Sequence, residues 1–132
     1  MSAAENAESV RRGYAAFQSG DMAALTQLFA PDIRWHTNGR NRTAGTFEGV
    51  QAVLESFGRL MEWSGGTFRV EVHDLLASDD HVVVLGNGSA DRDGRHLEDR
   101  YTHVFHLSEG RVTEAWVVNE DPYAQDEFWG VA

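Results

Sequence analysis

The spacing of apolar residues changes character near Thr67. Before it the period is helical. Val10, Tyr14 and Phe17 fall at i, i+4 and i+7, which makes one apolar helix face. "SGD" at 19–21 predicts a stop and a restart: Gly20 ends one helix and Asp21 caps the next. Met22, Leu25, Leu28 and Phe29 give that second helix its buried face, and "APD" at 30–32 ends it. A short strand, "IRWHT", precedes a polar loop over 38–46. A third amphipathic helix over 50–61 carries Val50, Val53, Leu54, Phe57, Leu60 and Met61.

After Thr67 the period is two. Phe68, Val70 and Val72 alternate with Arg69, Glu71 and His73, as in a half-buried strand. The turn "SDD" leads into "HVVVLGNGSADR", whose all-apolar start predicts burial on both faces. "RDGR" at 92–95 predicts a tight hairpin of the Asp-Gly type. A long strand follows from about His96 to Leu107, then the turn "SEGR" and the strand "VTEAWVVNE". "DPYAQDEFW" predicts a terminal helix with Asp121 at the N-cap and Pro122 at N1. Three helices with one short strand, then a four-strand antiparallel meander, make an α+β fold. Curling the sheet around the helices as a cone buries both sets and leaves an open end, hence a pocket.

Charge and composition narrow the partners. The 132 residues fit one domain, 1–132, and carry a formal net charge of -10. That argues against a nucleic-acid backbone or an anionic membrane as the main partner. There is no cysteine, so disulfides, thiolate catalysis and cysteine zinc sites are excluded. The N-terminal stretch has no apolar run of the signal-peptide type and no segment is long enough to span a bilayer, so the expected location is cytoplasmic.

Three stretches, "YAAFQSGDMAALTQLFAPDIRWH", "FEGVQAVLESFGRL" and "HVFHLSEGRVTEAW", resemble the nuclear transport factor 2-like superfamily in its SnoaL-like, ketosteroid isomerase-like branch. The resemblance spans nearly the whole chain. It implies a cone-shaped, strongly curved antiparallel sheet wrapped around three N-terminal helices. It fixes no reaction, because the same cone hosts isomerases, polyketide cyclases, epoxide hydrolases, dehydratases and binders. The isomerase's general-base aspartate falls by count on Thr37, which is no base. Its oxyanion tyrosine falls on Gly13, one residue before Tyr14. Its second oxyanion donor falls on His103, and a pocket tryptophan falls on Asn119. The resemblance therefore implies the pocket without the steroid isomerisation.

Strand parity sorts the side chains. Tyr101, His103 and Phe105 share the inward face, as do Ala115, Val117 and Asn119. Trp116, Val118 and His106 face out. Such an apolar outer face suits a homodimer, which the resemblance also implies. The expected ligand-binding set is Tyr14, Phe17, Trp35, Phe57, Leu60, Met61, Tyr101, Phe105, Val117 and Asn119, and it suits a hydrophobic small molecule. His103, Asp121 and His36 are the acid–base candidates. Each has a plainer reading. His103 is a core histidine satisfied by a neighbour such as Tyr14. Asp121 is a helix cap. His36 is an edge histidine, outward by parity, or else the partner of His103 or Asp121 across the cavity.

Other patterns carry less. Asp99 and Arg100 are adjacent and point to opposite faces, so an epoxide-hydrolase relay is discounted. Arg40 and Arg42 read as rim or lid residues. Tyr123, Phe128 and Trp129 are expected to fold over the cone's mouth or the helices. The six histidines make no metal site by spacing, and no phosphate loop or Ser-His-Asp set is present, so no cofactor is expected. The expectation is cofactor-independent isomerisation, cyclisation, dehydration or epoxide opening on an apolar carbonyl-type substrate. The alternative is a non-catalytic binding or accessory protein.

Overall fold

Helix α1 spans Ala3–Ser19 in the computed structural model, which describes residues 1–131. It opens on a capping box: Ser2 Oγ accepts from the Glu5 amide at 3.2 Å, and Glu5 Oε1 accepts from the Ser2 amide at 3.1 Å, satisfying two orphan donors. It closes on Gly20 in the left-handed region, φ 75°. Asp21 then caps α2 (Met22–Leu28) through the Ala24 amide at 3.1 Å. The "SGD" punctuation thus acts as its chemistry predicts.

Strand β1 runs Phe29–Thr37. The sequence pattern put Phe29 on the helix and a break at "APD"; instead the chain turns extended at once. Its pairing is irregular between Phe29 and Arg34, where Pro31 has no amide to give the ladder. A second difference lies in the polar loop. Gly45–Glu48 form β2, antiparallel to β1, with Trp35 opposite Phe47. Four residues are too few for a period-two signal.

Helix α3 (Val50–Trp63) precedes the meander β3 (Arg69–Ala77), β4 (His81–Arg92), β5 (Arg95–Ser108) and β6 (Arg111–Asn119), and α4 (Pro122–Trp129) ends the fold. Both central hairpins turn on two positive-φ residues, Asp93 with Gly94 and Glu109 with Gly110. That geometry matches the right-handed twist of paired strands. The six strands lie in the order β2-β1-β6-β5-β4-β3, with β1 parallel to β6. The sheet is curved and not closed.

The concave face packs on the helices. Val10, Leu25, Ile33, Val53, Val82, Val84 and Val112 form the driest part of this core. Burying one such side chain contributes roughly 1.5–3 kcal/mol. A second cluster under α4 joins Ala90, Leu97, Phe128 and Trp129. Phe128 and Trp129 thus fold back as expected, but Tyr123 does not: it is 84% exposed. No helix among the described residues is long and apolar enough to cross a membrane.

Candidate functional site

Between the concave face and the helices lies a cavity of about 130 Å³. Strand β5 supplies its polar end, because alternation puts Leu97, Tyr101, His103, Phe105 and Leu107 on the buried side. Helix α1 faces it with Val10, Gly13, Tyr14 and Phe17, and α3 with Ser56, Phe57 and Leu60. Trp35, Val117 and Asn119 continue the wall. The four positions reached by counting, Gly13, Thr37, His103 and Asn119, all line this space. A Cβ on Gly13 would lie 2.6 Å from Leu28 Cδ1's geminal methyl, Cδ2. The close approach of α1 and α2 therefore bars a larger residue there, and Tyr14 supplies the phenol from the next position.

Tyr14 Oη and His103 Nδ1 are hydrogen-bonded, and the two rings stack with an interplanar angle of 17°. Phe105 and Trp35 close around the imidazole edge-on. Burial holds His103 neutral, with its pKa lowered to about 3. Burial also pushes the Tyr14 phenol well up, and the neighbouring Tyr101 phenol adds to this. Burial raises Tyr101 to about 12. All three groups are uncharged near pH 7. None of the lining residues is Asp, Glu, Lys or Arg.

Two polar atoms in this group lack an ordinary hydrogen bond to protein among the described residues. His103 Nε2 makes no hydrogen bond, since the ring's one bond is at Nδ1. Tyr101 Oη is buried without a hydrogen bond of ordinary geometry, its neighbouring polar group being the Tyr14 phenol. Its ring lies against Gly86 on β4, where any Cβ would overlap the phenol and the Glu71 carbonyl. Glycine at that position makes room for Tyr101 to lie against the sheet.

At the mouth, Asn119 is fixed by Asn38. Its amide donates to Asn38 Oδ1 at 2.9 Å, and Asn38 Nδ2 returns a bond to the Asn119 carbonyl at 3.2 Å. Gln125, on α4, also faces the cavity. Its Nε2 donates to Asp99 at 3.0 Å and its Oε1 accepts from Trp129 Nε1 at 3.0 Å. Sequence reasoning missed Gln125, because a single amide on a short helix carries no signal. It also missed Val10 as a lining residue, although Val10 shares the helix face of Tyr14 and Phe17.

Three candidates lie elsewhere. His36 is on the other face of the sheet. Its Nε2 bonds Glu114 at 2.6 Å, its Nδ1 bonds Thr46 Oγ1 at 2.9 Å, and its ring stacks on Trp116. It partners neither His103 nor Asp121. Asp121 is exposed and caps α4 through the Ala124 amide at 3.0 Å. Met61 is half-buried on α3 and does not line the cavity. Arg40 and Arg42 belong to a loop latched onto α4: Asp126 Oδ1 accepts the Arg40 amide and Asn41 Nδ2, each at 2.8 Å.

Comparison with known proteins agrees with this geometry. A model of the SnoaL-like domain matches residues 10–115. Proteins of Mycobacterium tuberculosis and Mycobacterium bovis, themselves named as uncharacterized, are 36% identical over 121 residues, covering 91% of this chain and 92% of theirs. Among solved structures, Bal32a from a soil-derived mobile gene cassette is 45% identical with a TM-score of 0.94, covering 97% of this chain and 98% of its own. The fold alone is shared with a putative SnoaL-like polyketide cyclase from Jannaschia, 18% identical over 98% of this chain and 95% of that one, TM-score 0.80. It is likewise shared with an LEH-like epoxide hydrolase of M. tuberculosis, 17% identical over 96% and 90%, TM-score 0.74.

Proposed function

The chain belongs to the SnoaL-like domain family, and from that premise we propose that it takes an uncharged, apolar, oxygen-bearing small molecule into the cone and moves a proton on it without a cofactor. The carrying observation is the Tyr14–His103 pair in a cavity whose lining contains no charged residue. A carboxylate or ammonium entering there would lose its hydration with no counter-ion to replace it. A carbonyl, phenol or epoxide oxygen needs only a donor.

The pair supplies one. A protonated phenol and a neutral imidazole bind best with the Tyr14 O–H donating to Nδ1, which leaves the His103 proton on Nε2. His103 then acts as a neutral electrophile that polarises the ligand oxygen. As negative charge develops there, Nε2–H stabilises it by hydrogen bonding and keeps its proton, while a water entering from the mouth takes the proton that the ligand carbon loses and later returns one. Asn119 orients the ligand at the mouth. Isomerisation, cyclisation, dehydration and epoxide opening all share this demand for oxygen activation. In the same reading two copies pair through the part of the outer face around Val118, which is 47% exposed, and half-buried Trp116, leaving the His106 end of the strand open.

One observation favours a second reading. With no carboxylate in the wall, the site lacks the family's strong base, as a binding or accessory protein would. Exchange separates the two. A neutral aryl ketone, 1-acetonaphthone, is incubated with the protein in D₂O beside its carboxylate counterpart, 1-naphthoate. The enzyme reading expects the ketone to bind, the acid to be rejected, and deuterium to enter α to the carbonyl, with exchange lost in His103→Leu. Binding without exchange supports the accessory protein. Preferential binding of the acid contradicts both.

A further inference from the structure

The outer face of the sheet carries a second histidine arrangement, unrelated to the cavity. His81 on β4 and His106 on β5 are direct cross-strand partners. Their ring centroids are 4.9 Å apart with planes at 62°. The hairpin register creates this pair, since 25 residues of chain part them by number and no spacing motif marks it.

Each ring is held by its Nδ1. His81 Nδ1 bonds Asp80 Oδ1 at 2.9 Å. His106 Nδ1 bonds Thr113 Oγ1 at 3.0 Å, and that hydroxyl donates its own proton to the His106 carbonyl at 3.2 Å. Thr113 reaches this position because β6 bulges there: Leu107 pairs with Val112 and His106 with Glu114, leaving Thr113 unpaired. A carboxylate and a hydroxyl oxygen whose proton is committed both accept from Nδ1–H. The lone pairs are thus left on the two Nε2 atoms. Metal-binding histidines are oriented in this way, by an acceptor on the far ring nitrogen.

The spacing suits one ion. Two imidazoles bound at ~2.0–2.1 Å with an angle near 100–110° hold their centroids roughly 5 Å apart. His81 is about half exposed at its side chain, 48%, so an ion reaches the pair from solvent. Among the described residues no third His, Asp or Glu joins them in a metal-holding group. Glu114, opposite His106, is taken by His36 and Arg34. Water would fill the remaining positions.

We propose that His81 and His106 form a two-histidine chelate for a divalent transition ion of the imidazole-preferring class, Zn²⁺, Ni²⁺ or Cu²⁺. The absence of cysteine removes the usual competing thiolates.

The test is calorimetric titration of Zn²⁺ into the full chain, with His81→Gln, His106→Gln and the double variant. His96→Gln serves as control, since His96 is an exposed histidine paired with Asp91 away from the sheet-face pair. One ion per chain is expected, with affinity falling at least ~10-fold in either single variant and no further in the double, because a chelate is lost with its first arm. The control should bind as the parent does. In ¹⁵N-labelled parent protein, Zn²⁺ should shift the Nε2 resonances of His81 and His106 before any other histidine. This readout stands even where a variant folds poorly. Unchanged binding in the double variant, first shifts at His73 or His96, or half an ion per chain would overturn the proposal.

Discussion

The Tyr14 hydroxyl and His103 Nδ1 bond each other in the cone, joining the first helix to the long strand across 89 residues of chain. The contact places the only titratable residues that line the cavity among the described residues, two tyrosines and a histidine, in one neutral group.

Removing one partner should be worse than removing both. Tyr14→Phe leaves Nδ1 buried without a donor, which costs about 1–3 kcal/mol. His103→Leu strands the phenol in the same way. The double variant should recover much of the loss. Chemical denaturation of the four proteins gives the coupling, and strictly additive losses would show that the bond contributes nothing.

Acid should act through His103. Its pKa is lowered in the fold to about 3 from an ordinary 6.5. Between those values the unfolded chain binds the extra proton and the folded chain does not. The stability is therefore present above pH 6.5 and is lost as pH falls toward 3. The slope from this group approaches about 1.4 kcal/mol per pH unit. Stability measured from pH 7 to 5, where most carboxylates remain ionised, should fall in the parent and stay nearly flat in His103→Leu.

Gly86 and Tyr101 make a paired prediction. Gly86→Ala would force a methyl into the Tyr101 ring and the Glu71 carbonyl, so a loss of about 1–3 kcal/mol or more is expected. Tyr101→Phe removes a buried hydroxyl that makes no hydrogen bond of ordinary geometry and should be neutral or stabilising by up to ~1 kcal/mol. Thermal melting of both variants checks the pair; a destabilised Tyr101→Phe would mean that the hydroxyl is bonded in solution.

The outer face predicts assembly. Val118→Glu should convert a dimer to monomers, weakening association at least ~100-fold by burying an unpaired charge, while the circular dichroism spectrum stays unchanged. Sedimentation equilibrium reads the mass directly, and a parent protein that is already monomeric sinks this expectation.

What the sequence made legible follows its physics. The caps at Gly20, Asp21 and Asp121 and the Asp93–Gly94 turn are local chemistry, and each stands as predicted. Parity carried His103 and Asn119 to the cavity wall, because a strand permits two faces only. It also put His36 outward; the idea that twist would bring that ring inside fails, because Glu114 and Thr46 hold it. Strand β2 was hidden by its shortness. The Gly86–Tyr101 and His81–His106 pairings lie in a ladder that runs unbroken from the Asp93–Gly94 turn, so counting from that turn reaches both; what the sequence does not show is how the side chains then sit, the phenol over the bare glycine and the two rings side by side.

The most direct test is the nitrogen spectrum of His103 at pH 7, recorded alone and with 1-acetonaphthone. A neutral ring with its proton on Nε2, whose resonance moves when the ketone is added, is the expected result. A charged imidazolium at pH 7, or a ketone that binds while this resonance stays still, would contradict the account.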